Sequence, residues 1–402
     1  MIDSDRHMPN DRLEPDLSAI LAGTVPARWS RVAAEETTSQ GTGYVLTNLK
    51  ADFGSFEFTQ NPVASGSSSK DGSTVFCELC PQNCRIPSGR MGRCSARVNV
   101  GGSLVSRFYG RPTSVAIDPI EKKPLYHFLP GTPILSLGTQ GCNLSCRFCQ
   151  NWQISRPIPI GTEPKRILEP QQVVELAIQH RCPSVAFTYN EPTVWAEYVV
   201  DVGKRCHERG IMTVAVTNGM ICGKAREDFY NVIDAANVDL KAFTSSFYRD
   251  LTNGNLEAVK STLKYLARET KVCLEVTNLL IPGYNDKPEE LEEMCSWLFE
   301  ELGDNVPLHF SAFFPAWRLT DVPQTSLETL VMASQIAKNT GIKFVYRGNV
   351  KDESGQVTYC SKCGKELIRR SGYKTELTPL LDVSSTIAHC ANCGEGIPGV
   401  FK

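Results

Sequence analysis

The chain has 402 residues, with 42 Lys and Arg against 44 Asp and Glu, a net charge of −2, and 41% hydrophobic residues. That balance excludes a broadly basic nucleic-acid binder and an acidic solvating chain, and it leaves enough apolar material for a sizeable core. At ~150 residues per domain the length predicts one large domain with appendages. No apolar run approaches the ~20 residues that span a bilayer. The acidic, polar start reads as neither a secretory signal nor a transit peptide. The outlier is cysteine, at 16 residues gathered largely in tight clusters. In a reducing, cytoplasmic setting such clusters point to metal rather than to disulfides.

Residues 1–75 read as a disordered or weakly structured extension, ending in the linker ASGSSSKDGS at 64–73. The stretch 44–58 has strand character. The extension is expected to be dispensable for the chemistry of the rest.

Residues 76–130 form a Cys-rich module and its link to the core. Cys77, Cys80, Cys84 and Cys94 follow the pattern C-x2-C-x3-C-x9-C. Four soft ligands so close together suit either tetrahedral zinc or an auxiliary [4Fe–4S] cluster, with zinc preferred. The segment DPIEKKPLYHF (118–128) packs charge between two prolines. It reads as an exposed loop or as a closure over the mouth of the core.

From 131 to 350 the chain alternates apolar runs with amphipathic ones. The runs ILSLGT, SVAFTY, IMTVAVT, ANVDLKAF, VCLEVTNLLI, LHFSAFF and KFVYRG suit strands buried on both faces of a parallel sheet. Helical patterns such as PQQVVELAIQH and LEAVKSTLKYLARET lie between them. Six or seven such βα units predict an α/β barrel or open sheet.

The first run leads into QGCNLSCRFCQNW. Cys142, Cys146 and Cys149 make C-x3-C-x2-C, one thiolate short of a closed four-ligand site. A three-cysteine [4Fe–4S] cluster leaves one iron open to a further ligand; the rival is a zinc site completed by a distant His or Cys. Residues 351–402 hold two knuckles, Cys360-x2-Cys363 and Cys390-x2-Cys393, each followed by glycine. This is the pattern of a structural zinc ribbon, with an auxiliary cluster the weaker alternative. Arg369 and Arg370 alone do not make it a nucleic-acid module. Cys182, Cys206, Cys222, Cys273 and Cys295 read as small buried hydrophobes.

The three-cysteine motif with Phe148 before its last member resembles the radical S-adenosylmethionine (SAM) enzymes. CELCPQNC, DPIEKKPLYHFLPG, GCNLSCRFCQNWQISR, TYNEPT, DLKAF, HFSAFFP and the paired CxxCG knuckles resemble in particular the AmmeMemoRadiSam system radical SAM enzymes, relatives of the pyruvate formate-lyase activases. The resemblance implies an α/β fold, a partial (β/α)6 TIM-type barrel of the radical SAM type. It implies a [4Fe–4S] cluster on Cys142, Cys146 and Cys149, with SAM on the open iron. One electron then cleaves SAM to a 5′-deoxyadenosyl radical that abstracts hydrogen from an unidentified substrate. For SAM it implies Phe148, Asn190, Glu191 (facing the ammonium), Thr217, Asn218, Asp239, Lys241 and His309 (near the adenine). Val216 stands where the activases carry a second carboxylate, which argues against their cation site. The implied partners are a one-electron reductant such as flavodoxin or ferredoxin, and Memo-type and AMMECR-type proteins. The competing readings are a glycyl-radical enzyme activase and, from another class, a non-catalytic zinc-ribbon adaptor.

Overall fold

A computed structural model describes residues 24–32, 74–384 and 387–402. The strand-like stretch at 44–58 lies outside them. Strands β1 (Val25–Pro26) and β2 (Ser30–Val32) fold onto the Cys-rich module. β2 pairs with β3 (Val75–Cys77), which pairs with β4 (Arg85–Ile86). β1 pairs with β6 (Ser103–Ser106), the partner of β5 (Arg97–Val100). Trp29 is buried between β1 and β2, and its Nε1 donates to Asp228 at 3.2 Å. The Arg28 backbone N–H donates to Glu197 at 3.0 Å.

The weakly structured extension is thus corrected for residues 24–32. Their order comes from pairing with strands far along the chain, which local composition does not report. Trp29→Ala removes a large buried ring, worth ~3–5 kcal/mol, and is expected to lower Tm by roughly 4–6 °C. An unchanged thermal melt would return the segment to the dispensable extension.

The central sheet begins with β7 (Ser114–Pro119), antiparallel to β8 (Pro133–Gly138). Parallel strands β9 (Ser184–Phe187), β10 (Met212–Thr217), β11 (Ala235–Asp239), β12 (Cys273–Leu280), β13 (Leu308–Ala312) and β14 (Val345–Gly348) follow in spatial order. Crossing between β8 and β14 are α1 (Pro170–Gln179), α2 (Ala196–His207), α3 (Gly223–Tyr230), α4 (Leu256–Glu269), α5 (Pro288–Leu302) and α6 (Leu327–Thr340). This makes six strand-helix units and a seventh parallel strand. Helix starts follow local chemistry: Asn255 caps α4 through the Ala258 N–H (3.0 Å), and Ser326 caps α6 through Thr329 (3.2 Å). None of the helices among the described residues is long and apolar enough to cross a membrane.

Alternation along the strands builds two cores. Leu135, Leu137, Phe187, Val238, Val276 and Phe310 pack with the helices. On the other face, Ile134, Ala186, Val214 and Ala235 meet Ile120, Leu125, Phe128 and Leu129. Ile134, Val214 and Ala235 come from the N-terminal halves of their strands, so segment 120–131 forms a floor at the end opposite the cysteine loop. The charged segment is therefore neither an exposed loop nor a mouth closure. Asp118 and Lys123 are buried and paired at 2.6 Å, and the Tyr189 hydroxyl donates to the same carboxylate. Asn237 reaches the Pro124 carbonyl at 2.7 Å.

The C-terminal module holds two three-stranded antiparallel sheets. β15 (Thr358–Tyr359), β16 (Glu366–Ser371) and β17 (Lys374–Leu377) form one; β18 (Leu381–Asp382), β19 (Ala388–Cys390) and β20 (Gly396–Ile397) form the other. Gly364 and Gly394 sit at φ +70° and +72°, as the knuckle pattern requires. The module packs beneath the floor. Arg370 is wholly buried and donates to the Tyr126 carbonyl (2.7 Å) and Thr358 Oγ1 (2.9 Å). Leu129 N–H donates to the Val400 carbonyl at 2.6 Å. Arg370 is thus part of an internal joint, while Arg369 stays on the surface.

Candidate active site

The three central cysteines occupy the loop that leaves the C-terminal end of β8. That loop is tied on every side. Asn190, just past β9, accepts from the Thr139 N–H (3.1 Å) and donates to the Gly141 carbonyl (2.6 Å). Asn143 donates to the Met220 carbonyl (2.8 Å), and the backbone N–H groups of Ser145 and Arg147 bond the carbonyls of Thr252 and Leu251. Gly141 has φ +93°, and a Cβ there would stand 2.1 Å from the Cys94 carbonyl oxygen. Only glycine fits where the loop meets the N-terminal module.

Around the sulfurs the donors are N–H groups. Leu144 N–H lies 3.4 Å and Asn218 Nδ2 3.9 Å from Cys142 Sγ. Burial pushes the Cys142 thiol well above its ordinary value, and the nearby Glu191 charge adds to this. Cys146 is pushed up to about 12 by burial, against the pull of Lys241. Such thiols stay protonated unless a cation joins them, and a soft metal centre supplies that charge. Their chemistry fits a thiolate-bound cluster.

The other expected residues divide into two groups. Phe148 is buried against Phe247, with ring centroids 5.8 Å apart. Asp239 and Lys241 form an ion pair at 2.8 Å. Burial works against the Lys241 charge, but Asp239 first and Cys146 next hold its pKa above the usual range. This places the pair beside Cys146. Thr217 and Asn218 end β10, and both bond Glu191.

Glu191 does not present its carboxylate to an open site. It is 1% exposed and accepts from Thr193 N–H (2.9 Å), Thr217 Oγ1 (2.7 Å) and Asn218 N–H (2.8 Å). Burial raises its pKa, opposed first by the Asn218 backbone. Glu191 is a buried tie between β9 and β10.

His309 is in register with Thr277, itself in register with Asp239, but its ring turns to the floor. Its Nε2 meets Glu275 Oε2 at 2.5 Å, and the ring packs between Tyr126 and Tyr346. His309 is thus packed into the floor, against Glu275, Tyr126 and Tyr346. Sequence reading passed over Asn143 and Tyr189. Asn143 lies inside the cysteine motif, and Tyr189, at φ +73°, directly precedes the Asn-Glu pair.

Comparison with known proteins agrees with this arrangement. Residues 136–298 match the Radical SAM superfamily. An uncharacterized protein of Methanocaldococcus jannaschii is 42% identical over 328 residues, covering 81% of this chain and 96% of that protein. A 4-hydroxyphenylacetate decarboxylase activating enzyme of Clostridioides difficile is 25% identical over 56% of this chain and 72% of its own length. Among solved structures, a domain of pyruvate-formate lyase-activating enzyme from Bacteroides vulgatus is 19% identical with a TM-score of 0.37, over 41% of this chain and 98% of that one. The cysteine loop and most of the parallel sheet lie within the stretch that the family model matches, which makes residues 136–298 a Radical SAM superfamily domain.

Proposed function

We propose that this chain is a radical SAM enzyme with a partial (β/α)6 barrel, holding a [4Fe–4S] cluster on Cys142, Cys146 and Cys149 and binding SAM beside it. The observation that carries the reading is the loop of three half-buried thiols with N–H groups turned toward Cys142. Held by these cysteines, a [4Fe–4S] cluster would supply one-electron chemistry for the reductive cleavage of SAM and hydrogen abstraction from a substrate. Asn190 and Asn218 fix the loop, and Glu191 fixes Asn218. Lys241 and Asp239 provide a charged pair for the polar end of SAM, and Phe148 backs the loop with an apolar wall.

The C-terminal cysteines supply a structural zinc site in this reading. Cys360 and Cys393 sulfurs stand 3.6 Å apart, as do those of Cys363 and Cys390. Four sulfurs at ~2.3 Å from one tetrahedral zinc would stand ~3.8 Å apart. The module's contacts face the floor, which favours a brace over an adaptor. A one-electron donor such as flavodoxin or ferredoxin would reduce the cluster; Memo-type and AMMECR-type proteins remain the partners implied by family resemblance. The second reading, activase of a glycyl-radical enzyme, draws on the activating-enzyme homologues.

Anaerobic reconstitution with iron and sulfide is expected to give a brown protein that releases 5′-deoxyadenosine from SAM on reduction. Cys142→Ala, Cys146→Ala or Cys149→Ala should each abolish release while leaving zinc bound. Continued release from the triple variant would sink the assignment.

A further inference from the structure

Cys77, Cys80, Cys84 and Cys94 line one small pocket next to the central loop, together with Arg97 and Asn143. Cys77, Cys80 and Cys94 are buried. Gly92 leaves space beside Cys84: a Cβ there would meet the Cys84 sulfur at 3.6 Å. We propose that these four cysteines hold a second [4Fe–4S] cluster rather than the single zinc their sequence spacing also allows.

Two observations carry this. The first is spacing. A single ion draws its four sulfurs to ~3.8 Å, whereas a cubane offers each thiolate its own iron and so needs ligands set wider. Among the described residues, only the C-terminal four bring three or more donor atoms all within 4.8 Å of one another. The N-terminal quartet shares the wider arrangement of Cys142, Cys146 and Cys149.

The second is a buried cation. Arg97 is 1% exposed and spends Nη1 on Glu197 at 2.5 Å, while its Nε and Nη2 have no hydrogen-bond partner among the described residues. Orphaned guanidinium donors in a small pocket of thiols fit an anionic, sulfur-rich occupant. The two sites share a wall: the Cys94 carbonyl abuts Gly141, and Gln82 Nε2 donates to the Asn143 carbonyl at 2.9 Å. A cluster here would sit beside the one on Cys142.

This proposal stands apart from the reading of the central loop, and the test separates them. Full-length protein, reconstituted anaerobically with iron and sulfide, is expected to carry about eight irons per chain. Cys142→Ala/Cys146→Ala/Cys149→Ala should keep about four irons and a reducible cubane signal by electron paramagnetic resonance. Cys80→Ser/Cys84→Ser should lose about four irons from the full-length protein. Should that variant fail to fold, the triple variant still decides. About four irons with two zincs in the unmutated protein, or an iron-free triple variant, would overturn the second cluster. SAM cleavage surviving in the triple variant would instead overturn the central assignment alone.

Discussion

Glu191→Gln is expected to weaken cofactor binding and to destabilise the unliganded protein together. The carboxylate accepts from Thr193, Thr217 and Asn218 in a pocket closed to water. Glutamine keeps one acceptor but turns an NH2 group toward a buried N–H donor, losing a charge-assisted bond worth ~1.5–3 kcal/mol. Tm should fall by roughly 2–4 °C. Because Asn218 Nδ2 faces Cys142 Sγ, loosening its backbone also disturbs the cysteine loop. SAM affinity is expected to fall through that disturbance of the loop, with cluster retention reduced as well. A group touching only SAM would leave the unliganded melt unchanged. An unchanged melt with lost SAM affinity would therefore return Glu191 to direct contact.

The parts of this protein legible in its sequence are those whose cause is local. The seven parallel strands announce themselves through continuous apolar runs, because both of their faces are buried. The central cysteines are legible because one loop contributes all three. What escaped depends on distant partners. Residues 118–131 are dense in charge, and composition does not distinguish a solvated lysine from Lys123, buried on Asp118. Arg370 was hidden in the same way, since its partners Tyr126 and Thr358 lie elsewhere in the chain. Sequence position puts Glu191 and His309 on or beside strands, but the direction of each side chain is set by neighbours. Glu191 turns into the tie beneath the β10 turn, and His309 turns down to Glu275. The quartet's sequence spacing suits both zinc and iron–sulfur and leans to zinc; what favours a cluster, the spread of the sulfurs and the orphaned Arg97, is not written in that spacing.

The floor carries the other large expected effect, through Glu275. This carboxylate is wholly buried and accepts from Tyr126 N–H (2.9 Å), His127 N–H (2.8 Å) and His309 Nε2 (2.5 Å). It joins β12 and β13 to the segment that the C-terminal module clamps from below. Replacing a buried carboxylate that three donors share loses a charge-assisted hydrogen bond worth ~1.5–3 kcal/mol. Glu275→Gln is thus expected to lower Tm by roughly 2–4 °C. Acid should act on the same place. Burial would raise the Glu275 pKa, but the hydrogen bond and charge of His309, with His127 adding to them, hold it below the ordinary value. His127 is lowered to about 4 because burial disfavours its charged form. Both groups bind protons more readily in the unfolded chain, so both contribute stability at neutral pH that is lost as pH falls. His127 acts first, from its unfolded value of ~6.5 down to about 4, and a depression of that size is worth about 3 kcal/mol. Glu275 follows below ~4.3. Thermal melts across this range should show Tm falling steadily from pH 7 to 4, with His127→Phe flattening the upper part of the slope. A Tm that held level or rose on acidification would mean that the floor is not held by these two groups.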